Sequence, residues 1–391
     1  MKIGLLGFGT VGSGVYEIIN DNFISLLDSL EITKILVKSD NDLSLDIMTT
    51  SIDEIVYSDE INLVVEAIGG IHPAYEYICK ALRNKKHVVT SNKAVVSIYL
   101  DEFLKLANEN SVFFKFEASV CGGIPWIKSL NRIKRIDNIN EIYGIFNGTT
   151  NYILDNMKKN GLDFEVALKQ AQDIGYAESD PREDIDGIDI MRKLQISINL
   201  AFDYNVKKSE IEVFGIRNIK KVDIDYFKKS NRTIKLIATA KRKGIDFCAN
   251  IEPIAFKDNK IEASIPLNFN IGSVSGESIG VLKFYGQGAG KLPTANAIVQ
   301  DILDINSKKN NFLESDNLKI ELNKNNEMIK GRYYVRLNNE SIENRYKHVI
   351  EKIECFNDTK AYITHEIEAN LMYNIAKEFN RDNIFYVRID D

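Results

Sequence analysis

Apolar residues recur in two rhythms along this chain, and the change between them divides it. Over the first 120 residues short apolar runs alternate with amphipathic stretches. Strands are expected at residues 3–8, Lys34–Val37, Leu63–Ala67, His87–Thr90 and Phe113–Phe116, with helices between most of them. Strands alternating with helices build a parallel sheet covered on both faces. Beyond about residue 120, long helical stretches (Asp163–Gln172, Ile188–Phe202) meet strand-like runs (Ile234–Lys241, Ile251–Phe256), which predicts a second domain of α+β type. A glycine turn from Gly286 to Thr294 precedes the apolar helix Ala295–Ile305, which is expected to return to the first domain. The polar stretch Asn306–Asn326 reads as a linker. The tail then predicts a β-α-β-α-β unit from Tyr333–Leu337, Ile342–Ile353, Lys360–Thr364, Ala369–Phe379 and Ile384–Ile389.

Composition narrows the function without naming it. With 391 residues, 44 % hydrophobic and 27 % charged, the chain can bury more than one core. A net charge of −6 with no basic stretch argues against a nucleic-acid partner. No apolar run approaches the roughly 20 residues of a membrane span, and Met1 leads into a strand, not a signal peptide. Cys79, Cys121, Cys248 and Cys355 are scattered, and His72, His87, His348 and His365 form no local metal motif. A cytoplasmic protein acting on small molecules is expected.

The first strand runs into Gly7-Phe8-Gly9-Thr10-Val11-Gly12 and then a helix, which is the context a dinucleotide loop requires. Gly7 allows the turn, Gly9 lets backbone approach a pyrophosphate and Gly12 permits close packing. The helix N-terminus supplies amide donors for the anion. The sequence therefore predicts a Rossmann-type domain over residues 1–120 and 286–305, a catalytic and dimerisation domain over 121–285, a linker over 306–326 and a small α+β unit over 327–391. The second strand runs into Lys38, not into the acidic residue that would bind the ribose of NAD, so NADP is favoured, with NAD left open.

Six acidic residues lie between Glu178 and Asp189, directly before an apolar helix containing Leu194, Ile196, Ile198 and Leu200. Asp189 and Lys193 are four apart and share one face of that helix. A carboxylate cluster and a lysine are thereby set at the mouth of a buried helix. Asp180, Glu183 and Asp186 read as a solvated rim.

Several separate motifs resemble the homoserine dehydrogenase family over roughly residues 1–305. They are Gly4–Gly14, Ser91-Asn92-Lys93-Ala94, Glu117–Pro125, Asn147-Gly148-Thr149-Thr150-Asn151-Tyr152, Gly175–Lys193 and Gly288-Ala289-Gly290. The resemblance implies a monofunctional enzyme of threonine and methionine biosynthesis, reducing aspartate 4-semialdehyde to homoserine with NAD(P)H, as a homodimer or homotetramer. It implies Lys193 as general acid and base, oriented by Asp189, with Lys93 anchoring substrate or sharing proton transfer. It also implies Glu178 for the substrate ammonium, with Asp184, Tyr176, Gly148 and Thr149 nearby. Lys38, Gly69, Lys93 and Gly290 would join the glycine loop around the cofactor. Glu117 and the carbonyls of Val120, Gly122 and Ile124 would hold a sodium ion, although Ser119 and Cys121 stand where the family usually has alanine and glycine.

The tail faintly resembles an ACT regulatory domain. It looks short by one strand, and Leu337-Asn338-Asn339-Glu340 lacks the turn that receives an amino-acid effector, which predicts an oligomerisation or degenerate regulatory module. Two other function classes are open to the sequence. One is an aldehyde-oxidising enzyme with Cys121 as nucleophile, for which no activating histidine motif is present. The other is a non-catalytic nucleotide sensor, against which Glu178, Asp189 and Lys193 speak.

Overall fold

The computed structural model describes residues 1–20, 24–307, 320–338, 342–356, 359–380 and 382–391. They fall into two units, Met1–Arg132 with Gln287–Leu318, and Ile133–Gly286 with Lys319–Asp391.

The first unit is built on a six-stranded sheet in the order Met48–Thr49, Glu31–Leu36, Lys2–Leu6, Leu63–Glu66, His87–Thr90, Phe114–Lys115. All pairings are parallel. A parallel strand is buried on both faces, which is why Leu63-Val64-Val65 carries no polar alternation. The helix Lys291–Asn306 does return to this sheet and packs on the first helix, Thr10–Asn20. Contact is close because Gly14 has no side chain; a Cβ there would stand 2.9 Å from the Lys291 carbonyl oxygen. Ile3, Leu5, Val15, Ile35, Ala295, Ile298 and Ile302 form the core between sheet and helices.

The second unit carries one mixed sheet. Its order is Gly280–Gln287, Phe269–Gly276, Ile139–Ile145, Arg232–Lys243, Asp246–Lys257, Ile384–Ile389, Lys330–Leu337, Thr359–Thr364, Ile350–Phe356. The tail continues the same sheet: Ile254 and Ala255 pair in parallel with Arg388 and Ile389. Two ion pairs with buried carboxylates seal the junction. Arg336 Nε lies 2.7 Å from Asp223 Oδ1, which also accepts from the Tyr334 hydroxyl at 2.9 Å. Arg388 Nε lies 2.7 Å from Glu252 Oε1.

Three expectations need correction. Ile342–Ile353 is not one helix: Glu343–Tyr346 is helical, whereas Ile350–Phe356 is a strand paired with Thr359–Thr364. The Ile350/Ile353 spacing imitates a helical stripe, but the strand has an uneven exposure pattern and so lacks the period of two. The tail is therefore a β-α-β-β-α-β unit and is not short of a strand. Within the expected linker, Asn323–Lys324 pairs with Asp246 and Phe247; residues 308–319 lie outside the described residues, as do Asn339 and Glu340 of the tail turn. Strand Ile139–Ile145 escaped the sequence reading because Gly144 interrupts it. A Cβ at Gly144 would sit 2.2 Å from the Ile271 carbonyl oxygen across the ladder.

Candidate active site

The glycine loop leaves the central strand of the first unit at its carboxyl end. Gly7 takes φ +94°, and its amide donates to the Leu36 carbonyl at 3.0 Å. A Cβ on Gly12 would lie 2.0 Å from the Gly7 carbonyl oxygen, so only glycine lets the helix Thr10–Asn20 begin this close to the turn. At Gly9 the same test finds nothing within 4 Å, which leaves that backbone open to a ligand. Phe8, Thr10 and Val11 complete the loop. Lys38 is exposed just past the strand Glu31–Leu36, and Gly290, at φ +128°, opens Lys291–Asn306.

Two further strand ends contribute turns on the same edge. After Leu63–Glu66 come Gly69 (φ +81°) and Gly70 (φ +72°). After His87–Thr90 comes Asn92, whose side-chain oxygen accepts from the Ala94 amide at 3.1 Å and caps the helix that starts at Lys93. Glu66, 0 % exposed, accepts from the Ile68 amide at 2.9 Å and the Gly69 amide at 3.2 Å. Burial pushes its carboxyl above the ordinary carboxylate range. Sequence reading passed over Glu66. Its signal was an acid closing an otherwise apolar strand, immediately ahead of a glycine pair.

The loop Glu117–Ile124 is turned by two successive left-handed residues, Cys121 (φ +60°) and Gly122 (φ +53°). The Glu117 carboxylate receives the Ile127 amide at 2.9 Å and the Lys128 amide at 2.7 Å, capping the helix Trp126–Lys134. Its own amide donates to Asp301 at 2.9 Å. Burial, reinforced by the Asp301 charge, pushes the Glu117 carboxyl up to about 8. Cys121 is fully buried, which leaves an aldehyde no approach to its sulfur.

In the second unit the helix Ile188–Ala201 begins after Gly187, held at φ +83°. Asp189 (4 % exposed) and Lys193 (8 %) lie on its inner face, with Lys193 Nζ 2.9 Å from Asp189 Oδ2. Lys193 also donates to the Phe146 carbonyl at 2.7 Å. Next in the chain, Asn147 N-caps the helix Gly148–Asn160 and spends both amide protons on carboxylates, at 2.7 Å to Asp184 and 2.8 Å to Asp189. Burial and the nearby Asp189 charge raise the Asp184 carboxyl. Asn147 is thus the bridge that gathers Asp184, Asp189 and Lys193, a role that its place in the sequence motif did not disclose.

Thr149 and Gly148 begin the helix that Asn147 caps, and Tyr176 and Glu178 lie on the acidic segment ahead of Asp184. The Thr149 hydroxyl donates to the Tyr176 carbonyl at 2.7 Å, tying the acidic segment to the helix. Gly148 is required by packing, since a Cβ would stand 2.6 Å from the Asn268 carbonyl oxygen. Tyr176 and Glu178 are exposed, and the Glu178 carbonyl accepts from Gln172 at 3.0 Å. The rim carboxylates are each answered by an arginine: Asp180 by Arg182, Glu183 by Arg192 and Asp186 by Arg217. Lys235 was missed altogether. It is fully buried, donates to Asn151 Oδ1 at 2.7 Å and the Ile265 carbonyl at 2.6 Å, and burial pushes its amine down to about 7. Among the described residues no group of three or more His, Cys, Asp or Glu could hold a metal ion, and no helix is long and apolar enough to cross a membrane.

A parallel sheet with a glycine-rich first turn, joined to a unit presenting a buried lysine–carboxylate pair, defines a nicotinamide-dependent oxidoreductase acting on an alcohol or its carbonyl. The chain belongs to the homoserine dehydrogenase family. That family's catalytic model matches residues 125–303 and its NAD-binding-domain model residues 7–117. A homoserine dehydrogenase of Bacillus subtilis is 40 % identical over 314 residues, covering 78 % of this chain and 72 % of that one. The crystal structure of a homoserine dehydrogenase from Thiobacillus denitrificans superposes with a TM-score of 0.88 at 29 % identity, covering 100 % of this chain and 98 % of that one. A hyperthermophilic archaeal homoserine dehydrogenase in complex with NADPH gives 0.68 at 26 % identity, over 78 % of this chain and 98 % of that one.

Proposed function

We propose that the chain reduces aspartate 4-semialdehyde reversibly to homoserine, with NADPH as the preferred nucleotide. The observation that carries this reading is the grip on Lys193. Of its three N–H donors, one goes to Asp189 and one to the Phe146 carbonyl, which leaves the third to reach a substrate oxygen. When bound, the nicotinamide supplies the hydride to the aldehyde carbon. Lys193 then gives a proton to the oxygen, and in the reverse direction removes it from the hydroxyl. Asp189 and Asn147 hold the amine in place. Glu178 receives the substrate ammonium, with Asp184 as a second polar contact and Tyr176, Gly148 and Thr149 nearby, and Lys93 anchors the substrate or shares in the proton transfer.

Lys38, exposed after the second strand where an acid would suit NAD, supports the preference for NADPH. Sodium fits the hard-oxygen loop of Glu117 and the Val120, Gly122 and Ile124 carbonyls, beside the second buried carboxylate of Asp301. A homo-oligomer is supported by the sheet's edge strand Gly280–Gln287, where Val281 and Tyr285 are 61 % and 53 % exposed. A cytoplasmic location agrees with a small charged substrate and a nicotinamide cofactor. The test is nucleotide oxidation with aspartate 4-semialdehyde. Wild-type protein should consume NADPH in preference to NADH, and Lys193→Ala should lower kcat by about 100-fold or more with NADPH affinity retained. Unchanged turnover in the variant overturns the assignment.

A further inference from the structure

Glu66 is a carboxylate where the fold calls for an apolar residue. It ends a central strand whose other members, Leu63, Val64 and Val65, are fully buried, and it is fully buried itself. Placing a charge there is costly unless every lone pair is used. They are used in one direction only. Oε1 accepts from the Ile68 and Gly69 amides and, at 3.4 Å, from Asn92 Nδ2; Oε2 accepts from the Thr90 hydroxyl at 2.5 Å. Thr90 is the register partner of Glu66 on the neighbouring strand, and its oxygen in turn accepts from the Asn92 amide at 2.9 Å. Asn92 Nδ2 also donates to the Gly70 carbonyl at 2.7 Å. On the other side, the Ala67 carbonyl and Ile68 crowd Gly7, where a Cβ would come within 2.8 Å and 3.3 Å of them. One carboxylate therefore sets the geometry of three strand-end turns: the one at Gly7, the one at Gly69 and Gly70, and the one that delivers Lys93.

We propose that Glu66 is a positioning residue for the nucleotide, its buried carboxylate locking the Gly69–Gly70 and Asn92–Lys93 turns against the Gly7 loop so that they meet the cofactor preformed. This rests on the reading that these turns hold the nucleotide. The Ile68 and Gly69 amides and Asn92 Nδ2 can only donate, and the Thr90 hydroxyl donates here as well, so both Glu66 oxygens serve as acceptors. An amide at this position can keep its oxygen on the Ile68 and Gly69 amides, but its NH2 then removes the acceptor for the Thr90 hydroxyl proton.

The experiment measures NADPH affinity by its fluorescence, together with steady-state constants and melting temperature, for wild type, Glu66→Gln and Thr90→Val. The expected result is an NADPH Kd raised by about tenfold or more in folded Glu66→Gln and by less in Thr90→Val. The KM for the aldehyde should rise as well, because the same carboxylate holds the turn that delivers Lys93. A purely structural role would lower the melting temperature and leave the Kd of the folded fraction unchanged; that outcome overturns the proposal. If Glu66→Gln does not fold, Thr90→Val decides it, and an unchanged Kd there overturns it equally. Wild-type protein that fails to bind NADPH would sink the underlying reading, whereas normal wild-type binding with unaltered variants would sink this inference alone.

Discussion

At the scale of single residues, the chemistry that could be read along the chain is the chemistry that is local in it. Asp189 and Lys193 were legible because four residues on a helix put them on one face. Asn147 was not, since it meets its two carboxylates 37 and 42 residues away, and no periodicity encodes that. Lys235 gave a weaker signal, a lysine inside the apolar run Ile234–Ile237, and it has a measurable consequence. Its folded pKa, about 7, lies below the ordinary lysine value of about 10.4. Between those values the unfolded chain binds more protons, so this group's contribution to stability rises with pH across that window. Lys235→Met lacks the titration. Denaturant midpoints taken from pH 6 to pH 9 should therefore diverge in favour of the wild type as pH rises through about 7; parallel curves would show that the lysine is not neutral inside the fold.

Among elements, the parallel sheet was the most legible part, because each buried strand is a short apolar run bounded by turns. The mixed sheet was less so. Gly144 breaks one of its strands, and Ile350–Phe356 carries a spacing shared by helix and strand. The glycine loop allows the separation of two roles that the motif itself merges. Gly12 is a packing glycine and Gly9 an access glycine, as their surroundings show: 2.0 Å to the Gly7 carbonyl oxygen for one and open space for the other. Gly12→Ala should lower the melting temperature and nucleotide affinity together, because the helix Thr10–Asn20 must shift off its turn. Gly9→Ala should melt like the wild type and lose affinity for NADPH by about tenfold. Equal melting temperatures for the two variants would contradict this division of labour.

On the scale of the second unit as a whole, the tail cannot be treated as an appendage. Its strand Ile384–Ile389 is hydrogen-bonded to the strand Asp246–Lys257, and its arginines neutralise Asp223 and Glu252, which lie before it in the chain. Removing everything after Asn326 would strip Asp223 and Glu252 of their partners and expose a sheet edge. Lost activity in such a truncation would then report damage and not regulation. Point changes are cleaner. Asp223→Ala leaves Arg336 buried without its carboxylate and should cost about 3–5 kcal/mol, seen as a lower midpoint of a single transition reported equally by probes in the tail and in the catalytic sheet. Separate transitions would show the tail to be an independent domain. We propose that the tail serves oligomerisation or is a degenerate regulatory module, so threonine should leave the wild-type rate essentially unchanged. Strong, cooperative inhibition that Asp223→Ala weakens would overturn that proposal and make the continuous sheet the path by which the tail controls turnover.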